Sequence, residues 1–421
     1  MPPPFTWCTR AESASEDERP SRSYLRILYC RDSFRPYTRE MQFFDRRNYR
    51  INKVLLSCIG QWPYQTNRSS SVIIVIIVSL AGTQFIAKVC GLFSIEDIDL
   101  FIDSLSPLVV DIGCGVKLIT CIAKTAKIRA LYEQIQSDWQ LLTTSPYIKI
   151  LNSYAQNGRT FTIIYASALY SALVLFMLIP LQPLLLDSFL NETSRPLLHQ
   201  VEYYIDMDKY YFPILIHGYV TAVICVSIAI AADTTYVIMV QHVCGLFAII
   251  GQQVENITKE DSLNINLNPS VEDDTSYQNI VESIHAHKRA LRFAPFASLI
   301  EAAFSQMFLV LAGCNMLILS MTGVTAVANT DKPEEVVRQI TFSCALLMHL
   351  FFESFQAQRL IDHSTHVHSS LMNTAWYQTS FRTRKILIFM IMKTREPCVL
   401  TAGKMFVISM DTFSTVRTQK K

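Results

Sequence analysis

Five stretches of this chain carry no Lys, Arg, Asp or Glu: Ser69–Ala87, Thr160–Leu186, Tyr210–Ala232, Thr234–Val254 and Ala302–Thr330. A hydrocarbon core about 30 Å thick is crossed by about 20 helical residues, so each stretch is long enough to span it. Two further apolar segments are interrupted by charge. One covers roughly residues 100–122, with Asp103, Asp111 and Lys117, and the other roughly 338–358, with Glu353. Read as one helix, Tyr210–Val254 is broken only by Asp233 and is about twice the length a bilayer needs, so it projects beyond the membrane. A short apolar segment at 399–416 completes a set of seven. The pattern predicts an all-α polytopic membrane protein with spans near 69–90, 100–122, 161–186, 210–235, 301–323, 338–358 and 399–416. Residues 1–40, rich in Pro, Ser, Arg and Glu, read as a disordered polar extension that lacks the apolar core of a signal peptide.

Composition agrees, with 50% hydrophobic and 17% charged residues and a mean hydropathy of +0.25. The net charge of +2 says little, but its distribution says more. With the N-terminus in the cytoplasm, the inner segments 1–68, 118–160, 255–300 and 354–397 hold 12, 5, 4 and 6 basic residues. The outer segments 91–103, 187–209 and 323–338 hold none, two and two. The bias predicts a cytoplasmic N-terminus and, after seven spans, an outside C-terminus. Residues 354–395, where Arg359, Asp362, His363, Arg382 and Arg384 alternate with apolar positions, extend the cytoplasmic helical ends. Between these ends, residues 259–278 read as a loop.

Charged groups inside a span are costly, at about 2.5–3.5 kcal/mol on insertion scales. Lys117 is read as snorkelling to the cytoplasmic surface, and Asp233 as marking where a long helix leaves the bilayer. Asp111 and Glu353 stay open between bordering a cavity or ion path and a plain packing role. His363, His366 and His368 lack acidic or cysteine partners at a metal-site spacing and read as an interfacial polar cluster. No nucleophile elbow, phosphate loop or dinucleotide fingerprint occurs, so neither an enzyme nor a cofactor is expected. The eleven cysteines avoid the outer loops and predict no disulfide framework. The acceptor pattern at Asn191 falls outside and is a glycosylation candidate, whereas those at Asn67 and Asn256 fall inside.

Several landmarks in order resemble one family. They include Met41 to Lys53, Ile59-Gly60-Gln61-Trp62-Pro63-Tyr64-Gln65, Tyr154 to Arg159, Pro180-Leu181, Asn191 with Ser194-Arg195-Pro196, and Tyr203-Tyr204-Ile205-Asp206 with Lys209-Tyr210-Tyr211. Further on come Ala232-Asp233-Thr234, His242 to Phe247, Leu360 to Ser364, and the series from Trp376 through Arg384-Lys385-Ile386-Leu387 and Pro397–Lys404 to Ser414. Over residues 41–416 the chain resembles the insect odorant receptors, particularly the ant, bee and wasp branch. The resemblance implies a receptor domain beginning near Met41. It also implies a seven-helix receptor subunit in the plasma membrane of an olfactory sensory neuron, where it acts in sensory transduction. Such a subunit binds a small volatile odorant and gates a cation channel with a coreceptor in a four-subunit assembly, with no nucleic acid involved.

In the proposed orientation the outer halves of spans three, four and six offer a ligand cavity. It would be lined by Leu173, Phe176 and Met177, by Phe212, His217 and Tyr219, and by Phe342 and Met348, with Tyr165 and Tyr170 deeper. The resemblance further implies a last, pore-lining helix that starts at Thr401, Ala402, Gly403 and Lys404 and continues through Phe406, Ser409 and Phe413. From Met405 to Val416 such a helix has 12 residues, about 18 Å, before Arg417, Lys420 and Lys421. The expectation is therefore a truncated last helix, an aberrant tail at 417–421, and a form without a working pore. The alternatives are a gustatory-type receptor, against which the missing Thr-Tyr…Gln-Phe ending argues, and a G-protein-coupled receptor, whose Asp-Arg-Tyr signature is missing. A transporter would show duplicated, broken spans, and no such repeat is seen.

Overall fold

The computed structural model describes residues 43–178, 197–257, 293–328, 330, 333–374, 376 and 379–418. The chain divides into two units, Met1–Phe44 and Asp45–Lys421. Of the first, only Phe43 and Phe44 are described, with rings meeting edge to face at 4.9 Å. The predicted extension at 1–40, the loop at 259–278, the glycosylation candidate Asn191 and residues 419–421 all lie outside the described residues.

The second unit is a helical bundle. Its elements are α1 Arg50–Cys58, α2 Asn67–Phe93, α3 Ile98–Ala123, α4 Thr125–Leu142, α5 Ile148–Leu178 and α6 Tyr211–Ile257. They are followed by α7 Phe293–Ala328, α8 Pro333–Asn373 and α9 Phe381–Thr394. A two-stranded hairpin, β1 Thr401–Ala402 and β2 Phe406–Val407, precedes α10 Met410–Thr418. Among the described residues, α2, α3, α5, α6, α7 and α8 are long and apolar enough to cross a membrane. Their outward faces bear groups such as Val72, Val75, Ile76 and Val78 on α2, and Val174, Leu175 and Leu178 on α5, all more than half exposed. Water would penalise such a belt, whereas lipid does not.

α6 is the axis. Its 47 residues make about 70 Å of helix, and the 41 of α8 make about 60 Å, each about twice the hydrocarbon thickness. From Ala231 to Cys244 every residue of α6 is buried, polar ones included, so this part of the helix is surrounded by protein on all sides. α5 runs antiparallel to it. Tyr219, Ser227, Asp233, Gln241 and Gly245 on α6 meet Met177, Tyr170, Tyr165, Gly158 and Tyr154 on α5 in falling order. α8 runs parallel to α6, with His349, Gln356, His366 and Ser370 meeting Asp233, Gln241, Gly251 and Glu255.

α1 docks across α6 through a buried amide. Asn52 donates to Thr234 Oγ1 at 3.0 Å and accepts from the hydroxyl of Tyr132 on α4. The segment between α1 and α2 turns at Gly60, with φ +71°, and buries Trp62 against Tyr132. The sequence reading treated residues 118–160 only as a connecting segment. Within it, α4 buries Ile128, Leu131, Tyr132, Ile135 and Trp139, a helical stripe facing the bundle.

Three of the four histidines of α8, those grouped by the sequence at 363, 366 and 368, point to three different neighbours. His363 meets Tyr154 of α5 at 2.8 Å, His366 approaches Gly251 of α6, and His368 meets Thr394 of α9 at 3.1 Å. They sit at helix–helix seams, not around one centre.

The expected last helix starts differently. Thr401, Ala402 and Phe406 are in strands, and Gly403 and Lys404 form the turn, both with left-handed φ (+58° and +62°). Met405 donates back to Ala402 at 3.0 Å, closing a turn of the kind that joins tight hairpins. The helix begins only at Met410, where Ser409 accepts from Thr412 N at 3.2 Å, and Arg417 and Thr418 continue it. The resemblance implies a helix entry at Thr-Ala-Gly-Lys, whereas Gly403, with its left-handed backbone, makes this segment a turn. The hairpin is anchored on α7, where Gly403 N donates to both the carbonyl and the hydroxyl oxygen of Ser305 at 2.9 Å.

A Cβ added at Gly403 would overlap the side chain of Leu309, and the backbone there is already left-handed. We expect Gly403→Val to destabilise the fold by about 1–3 kcal/mol. This should appear as a midpoint lowered by a few degrees in size-exclusion profiles taken after heating. Gly82→Ala on α2, where a Cβ meets nothing within 4 Å, is the silent control.

Candidate functional site

Four helices place ionisable side chains at one level of the bundle. Asp233 of α6 is 1% exposed and Lys117 of α3 is 2% exposed. The ammonium contacts both carboxylate oxygens, at 2.5 and 2.6 Å. On α8, His349 Nε2 lies 2.7 Å from Lys117 Nζ and 3.2 Å from Asp233 Oδ2. One turn further, Glu353 Oε1 lies 3.5 Å from His349 Nε2 and 3.7 Å from Lys117 Nζ. α5 contributes Tyr165, whose hydroxyl donates to Asp233 Oδ2 at 2.7 Å and whose ring stacks on Phe352 at 4.1 Å.

These positions correct the reading of Lys117 as snorkelling and of Asp233 as a helix exit. Judged singly, each charge belongs at a boundary. Facing each other across α3 and α6, the two cancel in the interior, which is where a membrane protein hides such groups. Glu353, left open by the sequence, joins them. Ligand atoms of Asp233, His349 and Glu353 lie within 4.8 Å of one another, a set that could hold a cation. Lys117 Nζ already supplies positive charge at that centre.

Towards the Tyr211 end of α6 lies a second polar layer. Lys88 of α2, itself buried, pairs with Asp111 of α3 at 2.8 Å, which settles the role of the second open acid as an ion-pair partner. Tyr170 meets Ser227 at 3.0 Å, and the hydroxyl of Tyr219 donates to the Met177 carbonyl at 2.9 Å. Tyr203, in the segment before α6, donates to Gln84 Oε1 at 2.6 Å and lies 2.7 Å from His217 Nδ1. Phe176 sits beside His199, ring centres 5.7 Å apart. Burial, helped by the Lys88 ammonium, holds the His199 imidazole well below its usual range, so it is neutral at pH 7.

Of the ten side chains expected to line a cavity, Tyr165, Tyr170, Leu173, Met177 and Tyr219 fall along one seam between α5 and α6. His217 and Phe176 lie towards its Tyr211 end, and Phe342 is half-buried on α8. Phe212 and Met348 face outward instead, 63% and 61% exposed. Gln84, Lys88, Ser227 and Phe352 are not among the residues the sequence singles out, and Tyr203 enters only as a family landmark. Lys88 had a legible signal, since a lysine next to an apolar run needs an acid, and Asp111 stood unpaired. Of the residues expected in the last helix, Phe413 packs on Phe351 of α8 at 5.9 Å.

Removing one partner of a buried ion pair leaves the other uncompensated, at a cost of about 3–5 kcal/mol. We expect Lys117→Met and Asp233→Leu each to abolish most surface expression. The double variant should recover a substantial part of it, as read by surface biotinylation and thermal profiles. Additive losses would mean the two groups do not act as a pair.

The family model of the 7tm odorant receptors matches residues 97–419. Among curated proteins, the chain is 33% identical over 82 residues to Odorant receptor 67a of Drosophila melanogaster, and 30% identical over 84 residues to Putative odorant receptor 85d of the same species. Each alignment spans 20% of this chain and 20% of the relative. The fold is shared with the insect olfactory receptor OR5 from Machilis hrabei. Its complex with eugenol gives a TM-score of 0.69 and its other structure 0.63, each at 14% identity, covering 90% of this chain and 96% of that one. On the family match, which takes in most of its length, the chain belongs to the 7tm odorant receptor family.

Proposed function

We propose that this chain is the ligand-binding subunit of an odorant-gated cation channel. It works with a coreceptor subunit in a four-membered assembly in the plasma membrane of an olfactory neuron, with its N-terminus in the cytoplasm. Family membership is the main support, and the same-fold OR5 complex with eugenol adds to it. The observation that carries the site is the seam between α5 and α6. There Leu173 is buried one turn from Tyr170, whose hydroxyl pairs with that of Ser227 at 3.0 Å. A small, mostly apolar molecule gains affinity from burial there, and one hydroxyl suffices to orient it. Binding would shift the channel toward the open state only as far as its affinity differs between the two states. The orientation rests on the basic residues, 27 on the proposed inner side against 4 on the outer.

α9 supports assembly with another subunit. Its inner face buries Thr383, Leu387 and Met390. Its outer face exposes Phe381, Ile388, Phe389 and Met392, the last at 68%. A helix of 14 residues is too short to span lipid, so apolar groups on both faces call for a protein neighbour.

Two outcomes test this reading. Contrary to the expectation of a form without a working pore, and because the last segment folds as a hairpin followed by α10 through Thr418, cells co-expressing the chain with the coreceptor should give odorant-evoked cation currents. Tyr170→Phe should shift the half-maximal concentration by up to about tenfold with little change in surface level. Normal surface expression with no current across a broad odorant panel would sink the receptor reading. Separately, Phe389→Asp combined with Met392→Asp should abolish co-purification with the coreceptor. Retained co-purification would remove α9 from the interface.

A further inference from the structure

A groove of about 320 Å³ opens where the turn before α1 meets the first turns of α5. Its volume is at the small end of the range for ligand sites. Three arginines line it, Arg46 and Arg47 from the turn and Arg159 from α5, together with the amides of Asn48, Asn152 and Gln156. Among the described residues no carboxylate lines it. The acids nearest in sequence are engaged elsewhere, Asp45 with Lys53 at 2.6 Å and Asp138 with His242 at 3.0 Å.

The groove is built from ordered parts. Asn152, Gln156 and Arg159 are spaced i, i+4, i+7 and so share one helix face. Asn48 Nδ2 donates to Asn152 Oδ1 at 3.1 Å and ties the two walls together. The indole of Trp139 donates to the Tyr49 hydroxyl at 2.8 Å. Arg159 Nε is buried with no hydrogen-bond partner among the described residues, a costly state for a cationic donor. Position narrows the occupant. The charge-free stretch of α5 begins at Thr160, immediately after Arg159, so the groove stands at the level where this helix enters lipid.

We propose that this groove binds the phosphorylated headgroup of an anionic membrane lipid. Guanidinium forks match phosphate oxygens bidentately, amide N–H groups supply neutral donors, and the acyl chains would run along the neighbouring apolar face. The site is remote from the seam proposed for odorants and does not depend on channel activity. Binding measured on protein in neutral micelles, where both faces are accessible, is also independent of the proposed orientation.

The test titrates the full-length chain with fluorescent short-chain phosphatidylinositol bisphosphate. Phosphatidylcholine, inorganic phosphate and soluble inositol trisphosphate serve as separate arms. The expected result is saturable binding to the phosphorylated lipid that weakens with salt and falls about tenfold or more in Arg47→Gln/Arg159→Gln. Arg50→Gln, on α1 outside the groove, should bind as the parent does. Should the double variant fold poorly, Gln156→Trp at an exposed position fills the groove and carries the same expectation. Undiminished binding in the groove variants would overturn the proposal. So would phosphate or inositol trisphosphate binding as tightly as the lipid, which would make the occupant a soluble anion.

Discussion

A bilayer offers no hydrogen bonds, so polar groups drawn into this bundle must find partners within the protein, on their own helix as Thr162 and Thr235 do or on a neighbouring one. The fold is organised around that constraint at Asp233. Its carboxylate is reached by Lys117 from α3, Tyr165 from α5 and His349 from α8, so one side chain engages three neighbouring helices. The same logic repeats along α6. Ser227 meets Tyr170, Thr234 meets Asn52, Gln241 meets Gln356, and His242 meets Asp138, with partners on α5, α1, α8 and α4 in turn. Apolar packing alone would leave a helix free to slide or rotate against lipid-like neighbours. These pairs fix both register and rotation, since a shift of one residue would unpair several buried groups at once.

That arrangement explains which features could be read from the chain. The five charge-free runs fall on four long helices, α2, α5, α6 and α7, and the two charge-interrupted segments on α3 and α8, although α5 starts at Ile148, well before its apolar run, and α8 runs on to Asn373. Hydropathy sees where lipid begins and not where a helix begins, so amphipathic extensions into water escape it. α4 escaped for the same reason. Its stripe from Ile128 to Trp139 is buried by protein, and a span search has no interest in it. Of the candidate cavity, the seam of Tyr170, Leu173, Met177 and Tyr219 was legible once α5 and α6 were taken as neighbours. The outward positions of Phe212 and Met348 were not, because a helix apolar on every face gives no rotational phase.

The charged residues were the hardest to read for a related reason. Lys117 and Asp233 are 116 positions apart, and nothing local announces that they touch. What the sequence did contain was a balance. Within or beside the spans stand Lys88, Asp111, Lys117, Asp233 and Glu353, and pairing them is cheaper than bringing each to a surface. The hairpin at Thr401–Val407 failed differently. There the composition suits a helix, and the decisive feature is a pair of left-handed residues, of which only Gly403 advertises itself.

Tyr165 gives the bundle a continuity between its seam and its last helix. Its hydroxyl holds Asp233 while its ring lies flat on Phe352 of α8. The adjacent residue, Phe351, packs on Phe413 of α10, and Phe355 one turn on packs on Phe161 of α5. A displacement of α5 against α6 would break the Tyr165–Asp233 hydrogen bond whatever α8 does, and α8 following α5 would in addition pull His349 from Asp233. Both losses fall in a buried setting, so α5, α6 and α8 are held in one register at this level. Contiguity by itself transmits nothing; what couples the three helices here is the shared carboxylate.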